Sequence, residues 1–303
     1  MKDIKLEELS SESRNEISET MDHMDIFQML QAINNEDKKV ALEIEKNLKS
    51  IELVIKDCVK TLKGGGKIFY VGAGTSGRIG IIDAVECLPT FSSETDFIPI
   101  IAGGDRAFIR AVEGAEDDEK LAINDLKQKN ISPIDMVIGI AASGRTPYVI
   151  SAVKYANELG CKTASIVNNN NTKLEEVAQK KIVIKTGPEI LTGSTRMKAG
   201  TAEKMVCNMI STVTMKEMGK TYKNLMVDMI PTNNKLIERS KLIVQQATGC
   251  SGDLATKTLK ETKYYTKPAI VMILCNCDKD TAFKLLKENE GFVYKIMESS
   301  KIS

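Results

Sequence analysis

The sequence predicts an α/β fold, a parallel sheet flanked by helices, with helices before it and a small helical module after it. Three observations lead there. Short apolar runs alternate with helix-length segments through the middle of the chain. Glycine- and hydroxyl-rich turns follow two of those runs, where strands open into helices. From Asn233 to the end the spacing is helical, with no further strand.

The elements follow in order. Val40, Ala41, Ile44, Leu48, Ile51, Ile55, Val59 and Leu62 recur at steps of mostly three and four, one apolar stripe of a helix. Asn35 followed by Glu36 and Asp37 reads as its start, and Gly64-Gly65-Gly66 as its stop. Lys67–Val71 reads as a strand, then a glycine turn, then a helix over Ile79–Cys87. Phe97–Ala102 is the next strand, with a helical region over Asp105–Lys129. Met136–Ala141 precedes a second turn and a helix over Tyr148–Leu159. Thr163–Val167 and Ile182–Lys185 complete the strands, and a long helix spans Thr195–Met218. Short helices are expected over Asp253–Glu261, Lys267–Cys275, Asp280–Glu288 and Gly291–Met297. The division is therefore 1–62, an N-terminal helical region packing on the core; 63–232, the α/β domain; and 233–303, the helical module.

Composition narrows the function. Of 303 residues, 42% are hydrophobic and 27% charged, with a formal net charge of +1, the balance of an ordinary soluble protein. A nucleic-acid partner would need a clear basic excess. Apolar runs such as Ala269–Cys275 are too short to span a bilayer, and Met1–Glu8 is charged where a signal peptide would be apolar. A cytoplasmic protein is expected. Seven scattered cysteines suggest neither a disulfide framework nor a zinc site, and the single histidine, His23, lies in a polar stretch. Mechanisms built on a histidine triad or on several histidine ligands have little to work with.

Gly72-Ala-Gly-Thr-Ser-Gly-Arg78 and Ala142-Ser-Gly-Arg-Thr146 share a design, with glycines that let backbone N–H groups approach an anion and hydroxyls at a helix mouth. Gly193-Ser-Thr-Arg-Met-Lys-Ala-Gly-Thr201 adds hydroxyls and two cations before another helix. Together they point to a phosphate-bearing small molecule. Gly72, Gly74 and Gly77 also fit the dinucleotide spacing, but no well-placed acidic residue closes the following strand in the usual way. A nicotinamide enzyme stays a minority reading.

Val71–Thr90, Ala102-Gly-Gly, Ala111–Asp117, Ile140–Tyr148, Gly193–Thr201, Asn224–Asp228 and Ala247–Ser251 resemble, in order along essentially the whole chain, the N-acetylmuramic acid 6-phosphate etherase family. The resemblance implies a doubly wound sugar isomerase (SIS) domain, a C-terminal module similar to ubiquitin-associated domains, and a homodimer. It implies a lyase that cleaves a lactyl ether in cell-wall amino-sugar catabolism, using no metal and no cofactor. A related regulator of glucokinase binds sugar phosphates without turnover and supplies the non-catalytic alternative. By resemblance, Glu86 of Asp83-Ala-Val-Glu86 and Glu116 of Glu113-Gly-Ala-Glu116 are the catalytic pair, Glu86 as proton donor and Glu116 as base, with the reverse assignment open. Where the family pattern is Ser-Glu-Cys-Pro-Pro, this chain has Val85-Glu86-Cys87-Leu88-Pro89. A glutamate in a helix is usually a solvated surface charge, as expected of Glu113 and Glu119. Glu86 differs because it ends a helix of small and apolar residues just after a binding loop. Phosphate and substrate contacts are expected from Ser143, Gly144, Thr146, Thr75 and Ser76, and further from Ser194, Thr195 and Lys198. Lys198 is expected either at the substrate or on a solvated helix face.

Overall fold

The computed structural model describes residues 10–229, 231 and 233–299. The charged start, Met1–Glu8, lies outside them. Of the described residues, those up to Ala84 together with Thr95–Ser211 form one compact unit, and Val85–Glu94 with those from Thr212 onward form a second.

The first unit is built on five parallel strands: β1 (Ile68–Gly72), β2 (Phe97–Ile101), β3 (Met136–Ile140), β4 (Lys162–Val167) and β5 (Lys180–Val183), in the order β2-β1-β3-β4-β5. The order reverses direction between β1 and β3, the arrangement of a doubly wound sheet. Gly72 is the ladder partner of both Ile101 and Ile140, so three strands end level with one another at their carboxyl edge. β1 and β3 are buried along their whole length, which is why their sequences are continuous apolar runs.

Helices cover both faces. Along β3, Gly139 faces Val149 and Val153 of α6 (Pro147–Glu158), and its lack of a Cβ lets that helix close down. Ile140 points the other way, toward Gly80 of α3 (Gly74–Phe91). Tyr70 lies on the same side as Gly80 and reaches the Cys207 carbonyl of α8 (Lys198–Glu217) at 3.5 Å. The remaining helices of this unit are α1 (Ile26–Glu45), α2 (Leu48–Lys63), α4 (Arg106–Ile109), α5 (Glu119–Gln128) and α7 (Lys173–Val177).

Two expectations change here. The first long helix starts at Ile26, not near Asn35: Asp25 accepts from Gln28 N while Gln28 returns a bond to Asp25 N, a reciprocal cap. The apolar stripe then runs through two helices, broken at Lys46-Asn47. Residues 105–129 are not one helical stretch. Gly114 turns the chain at φ 73°, a short 3₁₀ turn spans Ala115–Asp117, and Asp118 caps α5 by accepting from Lys120 N and Leu121 N. Glu116 therefore sits in a connecting turn.

The second unit contains α9 (Asn234–Thr248), α10 (Gly252–Glu261), α11 (Thr266–Cys275), α12 (Lys279–Glu288) and α13 (Val293–Ser299). Asn233, Ser251 and Asp278 cap three of them, and Val244, Leu259, Ile270, Val271 and Val293 share a core. Lys267 is buried there, donating to Gly219 O at 2.8 Å and pairing with Asp228 at 3.1 Å. No helix among the described residues is long and apolar enough to cross a membrane.

Candidate active site

The turn after β1 is held by two glycines. A Cβ on Gly77 would lie 2.9 Å from the Gly72 carbonyl oxygen and 2.6 Å from Ile101, so only glycine lets α3 start this close to the strand end. The bond closing this turn runs from Gly77 N to Ala73 O at 3.2 Å. The N–H groups of Gly74, Thr75 and Ser76 ahead of it have no acceptor within the helix, the arrangement that receives an anion. Thr75 is half-buried and Ser76 buried. Ser76 Oγ donates to Glu203 Oε1 at 2.9 Å. Glu203 is itself buried, and its other oxygen has no hydrogen-bond partner. Burial pushes its carboxyl up to about 8 against the opposing Ser76 bond, so the site carries a neutral acid behind this turn at neutral pH.

The turn after β3 lies next to it, because β1 and β3 are ladder partners. Gly144 has φ 61°, and a Cβ there would fall 2.4 Å from Thr172. Leu174 N donates to its carbonyl at 3.0 Å, fixing the turn from behind. Ser143 Oγ accepts from Arg145 N at 3.2 Å. Thr146 occupies the cap position of α6 with no capping bond from its side chain. Thr75, Ser76, Ser143, Gly144 and Thr146 are thus brought to one place, the reversal point of the sheet.

Beyond β2, the segment 102–116 forms one wall of an open cleft whose other wall is the β1 turn. Ala73, Gly74, Arg78, Ala102, Val112, Glu113 and Glu116 are among its lining residues. Both glutamates are exposed. Their side chains therefore meet solvent.

Two family models match parts of the chain: the glucokinase regulatory protein N-terminal SIS domain over residues 50–157, and the SIS domain over residues 120–212. The N-acetylmuramic acid 6-phosphate etherase of Bacillus cereus (strain AH187) is 52% identical over 293 residues, covering 96% of this chain and 100% of that protein. That of Bacillus anthracis (strain CDC 684 / NRRL 3495) is 51% identical over the same shares. The chain belongs to the N-acetylmuramic acid 6-phosphate etherase family. A phosphoheptose isomerase from Francisella tularensis superposes with a TM-score of 0.52 at 17% identity, over 64% of this chain and 100% of that one, and shares the fold.

In this etherase-family chain the third hydroxyl-rich segment is built differently from the first two. The start of α8 is already filled by the protein's own carboxylate: Glu189 accepts from Lys198 N at 3.0 Å and from Ala199 N at 2.9 Å. Lys198 is not on a solvated face. Its side chain is 2% exposed and its ammonium is paired with the buried Glu36 at 2.5 Å. Burial works to raise the Glu36 carboxyl, and the Lys198 and Lys39 ammonium groups together hold it below the usual range. Ser194 and Thr195 are half-buried in the turn before the helix. A Cβ on Gly200 would lie 3.2 Å from Thr75, so the first turn of α8 supports the β1 turn.

Glu86 is exposed on α3 and belongs to the second unit. One turn before it, Asp83 is buried in the first unit, accepting from Asn208 Nδ2 at 2.6 Å and Ser211 Oγ at 3.0 Å. Burial raises the Asp83 carboxyl against those two bonds. Glu36 and Glu203 were not legible as functional supports, because each acts through a partner remote in sequence. Arg78 was visible in the first motif but had no assigned role.

Proposed function

We propose that this chain cleaves the D-lactyl ether of N-acetylmuramic acid 6-phosphate, giving N-acetylglucosamine 6-phosphate and D-lactate by elimination and rehydration. The observation that carries this reading is the identity to etherases along their entire length, joined to a cleft that sets Glu116 opposite an anion-receiving helix start. The 6-phosphate is taken by the N–H groups of Gly74–Ser76 with Thr75, and by Ser143, Gly144 and Thr146. Ser194, Thr195 and Lys198 are further contacts to the substrate, Lys198 with its ammonium also paired to Glu36.

The open-chain aldehyde acidifies the proton on carbon 2. Glu116 removes that proton, the carbon 3–oxygen bond breaks, and Glu86 protonates the departing lactate oxygen. Water then adds to carbon 3 of the unsaturated aldehyde with the proton transfers reversed. Each positioned acid or base contributes about 10² to 10⁴ in rate. The protein is taken to act as a cytoplasmic homodimer; the exposed Ile26, Phe27 and Leu30 on α1 support a partner surface.

The test is lactate release from N-acetylmuramic acid 6-phosphate. Glu116→Gln and Glu86→Gln should each reduce it by about 10² or more. Saturable binding with no lactate released would instead favour a non-catalytic regulator, the reading suggested by the match of residues 50–157 to a regulatory-protein domain.

A further inference from the structure

The substrate of the proposed reaction carries two anions, and the turns after β1 and β3 account for one. The 6-phosphate has its helix start and hydroxyls; the lactyl carboxylate has to be met elsewhere. Among the residues lining the cleft, Arg78 is the one cation, and its neighbours there are alanines, glycines, Val112 and the two glutamates. Arg78 follows Gly74 by one helical turn, about 5 Å along α3 from the N–H groups assigned to phosphate.

Its guanidinium is oriented. Nε donates to the Phe108 carbonyl at 2.9 Å, which ties one edge to the segment carrying Glu113 and Glu116. Among the described residues no acceptor engages the two terminal nitrogens and no ion pair neutralises the group. A planar fork with its terminal N–H groups open matches a carboxylate in a two-bond geometry, which an ammonium cannot reproduce. The charge also answers an electrostatic problem of the cleft. A carboxylate brought beside Glu113 and Glu116 would be repelled at close range, and a guanidinium between them removes that cost.

We propose that Arg78 receives the carboxylate of the lactyl group and so sets the preference for the ether over its product, N-acetylglucosamine 6-phosphate. This assignment rests on the etherase reading of the same cleft. Arg78 is on this account a substrate-binding residue, and its bond to Phe108 O couples ligand binding to the placement of the segment that bears Glu116.

The test uses ligands that cannot react. The 1-deoxy form of N-acetylmuramic acid 6-phosphate has no aldehyde form, so its carbon 2 proton is not acidified and it survives binding intact. Its affinity is compared by calorimetry with that of 1-deoxy-N-acetylglucosamine 6-phosphate, which lacks the carboxylate. Arg78→Met should weaken the lactyl ligand by about 10- to 100-fold relative to the other, because a charge-assisted pair is lost on one ligand only. Arg78→Lys should recover part of the ratio, keeping the charge without the fork. Retained binding of the second ligand shows that the variant is folded. An unchanged ratio in Arg78→Met, or equal loss of both ligands, overturns the assignment. Either result with wild-type lactate release intact leaves the reaction standing, whereas absence of lactate release rejects the reaction whatever the ratio.

Discussion

Replacing Glu203 by glutamine should change how the stability of this protein depends on pH. Glu203 is buried behind the β1 turn, accepts one bond from Ser76, and has its carboxyl pushed up from the ordinary 4.5 to about 8. The folded chain therefore holds a proton that the unfolded chain has released at any pH between those values. Stability from this group is fully present below about 4.5 and is lost as pH rises toward about 8. Each pH unit in that window costs about 1.4 kcal/mol. From pH 5.5 to 7.5 the loss attributable to Glu203 is thus about 3 kcal/mol. Glutamine keeps an acceptor for Ser76 and cannot titrate. Its amide in the unpartnered half of the site adds a penalty of about 1 to 3 kcal/mol, but the same at every pH. Asp83 and Glu189, whose carboxyls burial also raises, are present in both proteins and cancel in the comparison. Urea unfolding of wild type and Glu203→Gln at pH 5.5 and 7.5 reads the difference directly. If both lose the same stability across that interval, Glu203 is not held protonated and the account of the site's rear wall is wrong.

Other outcomes follow from the same contacts. Lys198→Met leaves Glu36 buried without its main partner and should cost about 3 to 5 kcal/mol in denaturant melts, with Lys198→Met plus Glu36→Leu recovering most of it. Gly144→Ala places a methyl against Thr172 at a positive φ; a rise in KM of about tenfold or more with the wild-type circular dichroism spectrum retained is expected, and unchanged KM would remove this turn from phosphate binding. Glu113→Gln should keep activity within about threefold while Glu116→Gln loses about 10² or more, measured side by side by lactate release. Lys267→Met should destabilise the helical unit by about 3 kcal/mol, because Asp228 and the Gly219 carbonyl lose a buried cation.

Much of the fold could be read from the chain before any coordinates, for a local reason. β1 and β3 are buried on both sides, so their boundaries stand out as unbroken apolar runs. Four of the C-terminal helices, α9 to α12, were equally plain, each opened by a serine, aspartate or asparagine cap or closed by a glycine or asparagine. The start of α1 was misplaced because its cap is two polar residues, Asp25 and Gln28, outside the apolar stripe. Residues 105–129 passed for a helix because their spacing is helical on either side of Gly114, whose left-handed turn only the backbone reveals. The candidate site divides the same way. Turns that bind through consecutive residues were visible, whereas Lys198 depends on Glu36, 162 residues away in sequence, and Ser76 on Glu203, 127 residues away. No window along the chain contains such pairs.

The level carboxyl ends of β2, β1 and β3 have a bearing on how this scaffold could be redirected. Gly72 is hydrogen-bonded into its neighbours on both sides, and the helices that leave β1 and β3 depart toward opposite layers. The gap between the two anion-holding turns is consequently a lattice constant of the sheet, beyond the reach of any side-chain exchange. Retargeting to another phosphorylated sugar would have to be done in the wall from Ala102 to Glu116, where only a short helix and three left-handed glycines resist redesign.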